Sequence, residues 1–213
     1  MSMKQQSPLF ENPPQSPVIH HELSDASLLE YPHLYAADEA QSLFRRLLEE
    51  LPWESASIRI AGRLVPVPRL QCWIGNPEAN YGYSGLRLKL VSWPDSLRPV
   101  KDRVELASGH QFNAVLANYY RDGRDSVAWH SDDEPELGTA PVVASLSLGV
   151  SRPFELRHKS RRELGKFRIT LHPGSLLVMG DTVQRHWQHQ LPKLPDLTEA
   201  RINLTFRQVN FRS

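Results

Sequence analysis

The residues best placed to do chemistry in this chain are His130 and Asp132, within Trp129-His130-Ser131-Asp132-Asp133-Glu134. They stand two positions apart, so on an extended backbone both side chains leave from one face, and an imidazole nitrogen and a carboxylate oxygen can converge on one ion. Two ligands do not make a site. A third histidine, with coordination positions left open, would complete the 2-His-1-carboxylate facial triad that suits non-haem Fe(II). His158, His172, His186 and His189 are the later candidates. His172 precedes a Pro173-Gly174 turn and His158 falls in a basic hairpin, whereas His186 and His189 flank Trp187 just before Leu191-Pro192. On an extended segment a separation of three puts those two on opposite faces, so only one can share the ion, and spacing leaves the choice open.

The segment 201–207 is the second informative feature. Arg201, Asn203, Thr205 and Arg207 alternate with Ile202, Leu204 and Phe206, the period of a strand with one apolar and one polar face. If the polar face lines a cavity, two arginines, an asparagine and a threonine would be costly to bury unpaired and call for an anionic guest. Guanidinium forks suit carboxylates, and a dicarboxylate would engage two of them. The alternative is an exposed edge strand with a solvated polar face.

The elements that must position these groups follow from the rest of the chain. Its 213 residues fit one domain with a terminal extension, and a net charge of +1 neither demands nor excludes a polyanionic partner. Residues 1–30, rich in Pro, Gln and Ser, read as a mostly irregular arm with solvated His20 and His21, and 31–213 as one catalytic domain. Lone Cys72 cannot form an internal disulfide and reads as a small buried hydrophobe, and no apolar run resembles a membrane span or signal segment. A cytoplasmic monomer without a membrane partner is expected. A helix is predicted from Asp38, with Asp38 and Gln41 as a capping box, Leu43, Phe44, Leu47, Leu48 and Leu51 as its apolar stripe, and Pro52 as its stop. A second helix is predicted over 96–107, stopped by Gly109. Strands are predicted over 58–60 and 64–68, joined by a turn at 61–63, with Pro66 and Pro68 implying an edge. Further strands are expected over 112–120, 141–150, 153–159, 167–172, 175–179 and 201–209. Between them, a loop at 76–85 carries Tyr81 and Tyr83, which either pack the loop down or stack on a base. The fold class is α+β, with a jelly-roll-like core open at one end for a ligand.

The segments HSD at 130–132, WQHQLP at 187–192 and RINLTFR at 201–207 resemble the AlkB family of Fe(II)/2-oxoglutarate dioxygenases. The likeness runs from about Val67 to Val209, through VPRL at 67–70, ANYYRDG at 117–123, HSDDE at 130–134, ASLSLG at 144–149, FELRHK at 154–159 and GSLLVMGD at 174–181, all in the family's order. The branch it resembles is the one that repairs alkylated nucleobases. The resemblance implies a double-stranded β-helix (jelly-roll) core with supporting N-terminal helices and nucleotide-recognition loops at about 56–90. It implies His189 as the third metal ligand, with His186 left structural. By the same likeness Arg201 would take the distal carboxylate of 2-oxoglutarate with Asn118 and Tyr120 as partners, Arg207 would sit near the metal end, and Asn203 would assist.

The implied cofactors are Fe(II), 2-oxoglutarate and O2. The implied reaction hydroxylates an N-methyl group on a base as 2-oxoglutarate becomes succinate and carbon dioxide, and the methyl leaves as formaldehyde. A base inside a duplex cannot reach such a site, so the nucleic-acid substrate must be flipped or single-stranded. Tyr83 would stack the base against His130, with Tyr81 beside it. Asp133 and Glu134 would meet its polar edge and favour cationic N1-methyladenine or N3-methylcytosine. Arg157, Lys159, Arg161, Arg162, Lys166 and Arg168 stand against Glu163 alone, a local charge of +5 suited to phosphates. Only Ala61-Gly62-Arg63-Leu64 precedes Val67, with no apolar finger to invade a duplex, so single-stranded DNA is the expected substrate. The alternatives are an oxygenase acting on RNA or protein, and a catalytically idle nucleic-acid-binding module.

Overall fold

The computed structural model describes residues 17–60, 63–79 and 88–210. Among them, two sheets pack face to face. The larger is ordered β1 (Ile19–Leu23), β2 (Ala26–Tyr31), β11 (Leu176–Met179), β8 (Val143–Gly149), β13 (Arg201–Arg207), β6 (Ala114–Tyr120), β4 (Arg63–Gly75) and β3 (Glu54–Ile60), with β5 (Leu90–Val91) parallel to β4. The smaller is ordered β10 (Lys166–Leu171), β9 (Arg152–His158), β12 (Trp187–Leu191) and β7 (Val127–His130), and its pairings are antiparallel.

Helices α1 (Ala37–Glu50) and α2 (Arg98–Ser108) back the larger sheet. The period of β13 sends Ile202, Leu204 and Phe206 into one cluster with Leu47 of α1 and Val100 and Val104 of α2. Its polar residues therefore face the other way, into the space between the sheets. There a second apolar cluster, with Val143, Leu177 and Met179 of the larger sheet against Phe154, Leu156 and Leu191 of the smaller, closes part of the interior. None of the described helices is long and apolar enough to cross a membrane.

Several expectations are corrected. The arm is not irregular throughout: residues 19–31 form a hairpin, turned at Asp25 with φ +64°, whose β2 pairs antiparallel with β11 and buries Leu28 completely. Pairing with β11 gives this short strand a partner that its own brief pattern does not announce. His21 is accordingly bonded to Glu30 at 2.8 Å rather than freely solvated, while residues 1–16 lie outside those described. Helix α1 is capped two residues earlier than expected: the Ala36 N–H donates to the Glu39 carboxylate at 2.9 Å, which places Asp38 inside the first turn, facing the positive end of the helix dipole. Helix α2 stops at Gly109, whose φ of +72° is the left-handed conformation a glycine adopts without strain. Where recognition loops were expected from about 56, the chain is paired strand up to Gly75. Pro66 and Pro68 sit where β4 runs beyond its pairing with β6, which begins at Leu70, so the local edge they imply is real. Ala61 and Gly62 lie outside the described residues.

Candidate active site

The pairing of β12 with β7 puts His189 directly opposite His130, with ring centroids 4.3 Å apart. Asp132 follows β7 and is 1% exposed, its Oδ2 lying 3.4 Å from His189 Nε2. One ligand atom from each of the three lies within 4.8 Å of the others. Neighbours hold His130 and Asp132 in place. His130 Nδ1 is 2.8 Å from the Ala128 carbonyl; a carbonyl only accepts, so Nδ1 carries the proton and the Nε2 lone pair is left for an ion. The Asp132 N–H donates to Gln184 Oε1 at 2.9 Å, and the Ser131 hydroxyl donates to the Trp187 carbonyl at 3.0 Å. Arg207 donates to Asp132 Oδ1 at 2.6 Å, so the other oxygen is the one turned to the histidines.

Burial, and then the neighbouring His189, push the His130 pKa down to about 4. Burial alone would raise Asp132, but Arg207 and His189 together hold it well below the usual carboxylate range. Two imidazoles and a carboxylate that Arg207 helps keep ionised form the donor set of a facial triad, so the site fits a non-haem iron.

His186 does not compete. It ends a helix, α3 (Asp181–His186), that sequence reasoning missed, and its ring stacks on His158 at 6.0 Å. The argument from opposite faces of one strand therefore does not apply to it, because only His189 is on a strand. His158 is structural, its Nδ1 accepting the Arg161 N–H at 3.0 Å, and His172 is bonded to Ser151.

The polar face of β13 lines a cavity next to this group. β13 is central, between β8 and β6, so the exposed-edge alternative fails. Register places Arg201 opposite Tyr120 and Asn203 opposite Asn118, and all four line the cavity with Arg207. Arg201 is 2% exposed and donates to the Ser147 hydroxyl at 2.9 Å, while its Nε has no hydrogen-bond partner. Among the described residues no carboxylate lies within 4.0 Å of it, and burial lowers its pKa to about 10. A buried cation in this state is stabilised by an anionic guest, and a carboxylate of 2-oxoglutarate fits that demand. Asn203 is a different case. Its amide donates to the Ser145 hydroxyl and the Leu146 carbonyl and its oxygen accepts from Thr205, so it braces the wall.

Sequence reasoning missed five residues here, Arg69, Gln71, Ser145, Ser147 and Gln184. Arg69 lines the cavity and donates to the Asn118 side-chain oxygen at 2.8 Å, as does buried Gln71 at 2.9 Å. Arg69 lies within the VPRL segment, and Ser145 and Ser147 repeat at strand spacing in ASLSLG, so both had a signal. Gln184 had none, because its place depends on α3.

The expected substrate residues fare unevenly. Tyr81 and Tyr83 lie outside the described residues. Asp133 and Glu134 are not among the cavity's walls: the chain turns outward after Asp132 into the short helical turn Pro135–Leu137, and Asp133 meets Lys159 at 2.8 Å. The basic hairpin lines a groove with Arg157, Lys159, Arg161 and Arg162, but it is less cationic than its sequence. Arg161 pairs with Asp25 and Glu163, Lys159 with Asp133, and Lys166 and Arg168 with Glu155. Six cations thus meet four carboxylates rather than one, and +5 becomes +2. Arg157 keeps its charge, donating to Gln188 and lying 4.4 Å from the centroid of the Trp129 ring.

Residues 27–207 match the family described as the 2OG-Fe(II) oxygenase superfamily. The chain is similar to alpha-ketoglutarate-dependent dioxygenase alkB homolog 3 of Rattus norvegicus, 41% identical over 187 residues that make up 84% of this chain and 63% of that one. It is also similar to the DNA oxidative demethylase ALKBH2 of Mus musculus, 36% identical over 204 residues, 92% of this chain and 85% of the relative. In fold it is similar to the structure of OsALKBH1, with a TM-score of 0.59 at 16% identity over 90% of this chain and 100% of that one. The chain spans a little under two thirds of the length of its alkB homolog 3 relatives, 63% in the rat protein.

Proposed function

The chain belongs to the 2OG-Fe(II) oxygenase superfamily, and from that premise we propose that it oxidatively demethylates N-alkylated bases, N1-methyladenine and N3-methylcytosine, in single-stranded DNA. The observation that carries the oxygenase half is one cavity holding both the His130-Asp132-His189 donor set and the carboxylate-free Arg201. The nucleobase half is supported by the names of its relatives, alkB homolog 3 and DNA oxidative demethylase.

Fe(II), with 2-oxoglutarate and O2, supplies the oxidation that hydroxylates the N-methyl group while 2-oxoglutarate is decarboxylated to succinate. The chain's own residues do the rest. Arg201 receives the distal carboxylate in a fork that Tyr120 and Ser147 hold in place, and Asn118, itself fixed by Arg69 and Gln71, bounds the cavity beside it. Arg207 keeps Asp132 ionised and leaves Oδ2 turned to the histidines, and the Ala128 carbonyl fixes the His130 ring. After hydroxylation the carbon–nitrogen bond breaks, formaldehyde departs and the base recovers its nitrogen lone pair.

Outside the cavity, Arg157 and Arg162 meet phosphates first, since no carboxylate among the described residues holds either. The ion pairs of Lys159 and Arg161 are exposed and worth about 0.2–1 kcal/mol each, so a phosphate displaces the carboxylates at little cost, while Lys159 also donates to the Gln184 carbonyl at 2.7 Å. Tyr83, with Tyr81 beside it, is the proposed base-stacking residue. A monomer in a reducing compartment accompanies this reading, supported by lone, buried Cys72.

The test is succinate formation from 2-oxoglutarate with Fe(II) and oxygen, with and without an N1-methyladenine single-stranded oligonucleotide, following methyl loss by mass spectrometry, with His189→Ala as control. Succinate that rises with the oligonucleotide, matched by demethylation, is expected. Succinate without demethylation sinks the substrate, and no turnover by iron-loaded protein favours the idle binding module.

A further inference from the structure

Two connections carry the cavity's strands from one sheet to the other, and they meet at one buried guanidinium. The turn after β6 joins the strand of Asn118 and Tyr120 to β7, which delivers His130 and Asp132. The stretch after β12 joins the strand of His189 to β13, which carries Arg201 and Arg207. These connections bind each other through Gly123 N–H to the Leu197 carbonyl at 2.8 Å and Leu194 N–H to the Gly123 carbonyl at 2.7 Å. They approach so closely that a Cβ on Gly123 would lie 1.8 Å from the Leu194 oxygen.

Arg152, the first residue of β9 and 0% exposed, lies across this junction. It donates to the carbonyls of Asp122 at 3.3 Å and Asp125 at 3.1 Å in the first connection, and of Pro192 at 2.7 Å in the second. Its guanidinium is 5.9 Å from the centroid of the Tyr120 ring, and Arg201 lies 5.4 Å from the same ring. None of the roles assigned above uses Arg152. The carboxylates nearby are engaged elsewhere, Asp125 by Arg121 and Asp122 by Arg124, and Arg152 Nε has no hydrogen-bond partner. A buried cation met only by neutral acceptors is costly, yet an apolar residue in its place would take the donor away from three carbonyls of the two connections. The fork of donors therefore ties the two connections together, and its charge, which neutral carbonyls do not require, stands near the same ring as Arg201.

We propose that Arg152 is a positioning residue of the active site, holding Tyr120 and the two connections so that the 2-oxoglutarate clamp and the metal ligands stay in register, and adding a second buried positive charge behind Arg201. The inference rests on the reading that the cavity holds 2-oxoglutarate. The test separates the two. 2-Oxoglutarate is titrated calorimetrically into Mn(II)-loaded full-length protein: wild type, Arg152→Lys, Arg201→Lys and the double variant, each first shown to be folded by its thermal transition. Wild type that binds no 2-oxoglutarate would remove the co-substrate reading, and this inference with it.

With wild-type binding established, Arg152→Lys is expected to weaken 2-oxoglutarate by about tenfold, the lower end of what removal of a supporting group costs. The loss in the double variant is expected to be smaller than the product of the single losses, because both arginines act on one carboxylate and one ring. An arginine with only a structural role would lower the melting temperature and leave the dissociation constant of the folded protein unchanged, or would combine with Arg201→Lys multiplicatively; either result overturns the proposal. Should Arg152→Lys fail to fold, Asp125→Asn loosens the same junction from its solvent side, where Asp125 accepts from the Arg121 backbone and guanidinium. Weakening by about two- to fivefold is expected there, below the roughly 10- to 100-fold range for groups that hold a ligand directly, because Asp125 acts on the junction from one step further away. An unchanged constant in that variant overturns the proposal as well.

Discussion

The arginines of the inner cavity and those of the outer hairpin are treated in opposite ways. Arg201 and Arg152 are buried with no carboxylate of the described residues within 4.0 Å, and Arg207 is buried against a metal-ligand candidate, Asp132. Arg161 and Arg168, outside, are largely exposed and already hold Asp25, Glu163 and Glu155. Burial makes each inner charge expensive without a partner, so the cavity is organised for an anion before one arrives. Exposure makes each outer pair nearly neutral in energy, so the hairpin exchanges partners easily and its charge is a poor measure of its affinity. The lesson is that position relative to solvent, not the number of cations, separates a built anion site from a basic surface.

The sharpest break of this comparison is at the metal group. His189→Ala removes a ligand outright, so metal affinity should fall by more than the roughly 100-fold upper range for loss of an outer-shell partner. Mn(II) titration and the metal-dependent rise in melting temperature check this. Arg207→Lys comes next. Lysine keeps a charge but cannot reach Asp132 and the Thr205 carbonyl with the same planar group, and a loss of about 10- to 100-fold in metal affinity is expected by the same titration. A loss below twofold would place Arg207 with the outer arginines.

On the hairpin the effects shrink. Arg157→Ala with Arg162→Ala removes two cations that no carboxylate of the described residues holds. Weakening of a single-stranded oligonucleotide by about three- to tenfold is expected, with the salt slope of log K reduced by about 1–2. Fluorescence anisotropy at several salt concentrations reads both. Lys166→Ala should change oligonucleotide affinity by less than about twofold, because its ammonium is engaged by Glu155 and its loss leaves Arg168 on the same carboxylate. An effect as large as that of the double variant would show that internal pairing does not blunt the hairpin's charge.

Much of the inner region was legible in the chain. The His130-x-Asp132 spacing and the alternation of β13 both express a period of two, which survives any tertiary arrangement. What spacing left open between His186 and His189 was a question of element type, and the helix that carries His186 lacks a long apolar period. The hairpin was misjudged for the complementary reason. Asp25 and Asp133 reach it from a turn and from beyond β7, where a local charge count cannot include them, and Glu155 stands on β9 itself, just outside the counted window and opposite Arg168. The hairpin at 19–31 was hidden because short strands that complete a sheet owe their stability to the partner, not to their own pattern.

By itself the sequence determined which faces each strand would offer, which residue types could hold an iron and a dicarboxylate, and the family likeness that orders them. The tertiary structure alone decided that β13 lies at the centre of its sheet, that His189 stands opposite His130, and that Arg152 spans two connections some 70 positions apart. Alternation is a property of neighbouring peptide units and can be read locally. Register, burial and the partners of a charge are set by chain segments distant in sequence, and they exist only once those segments have packed.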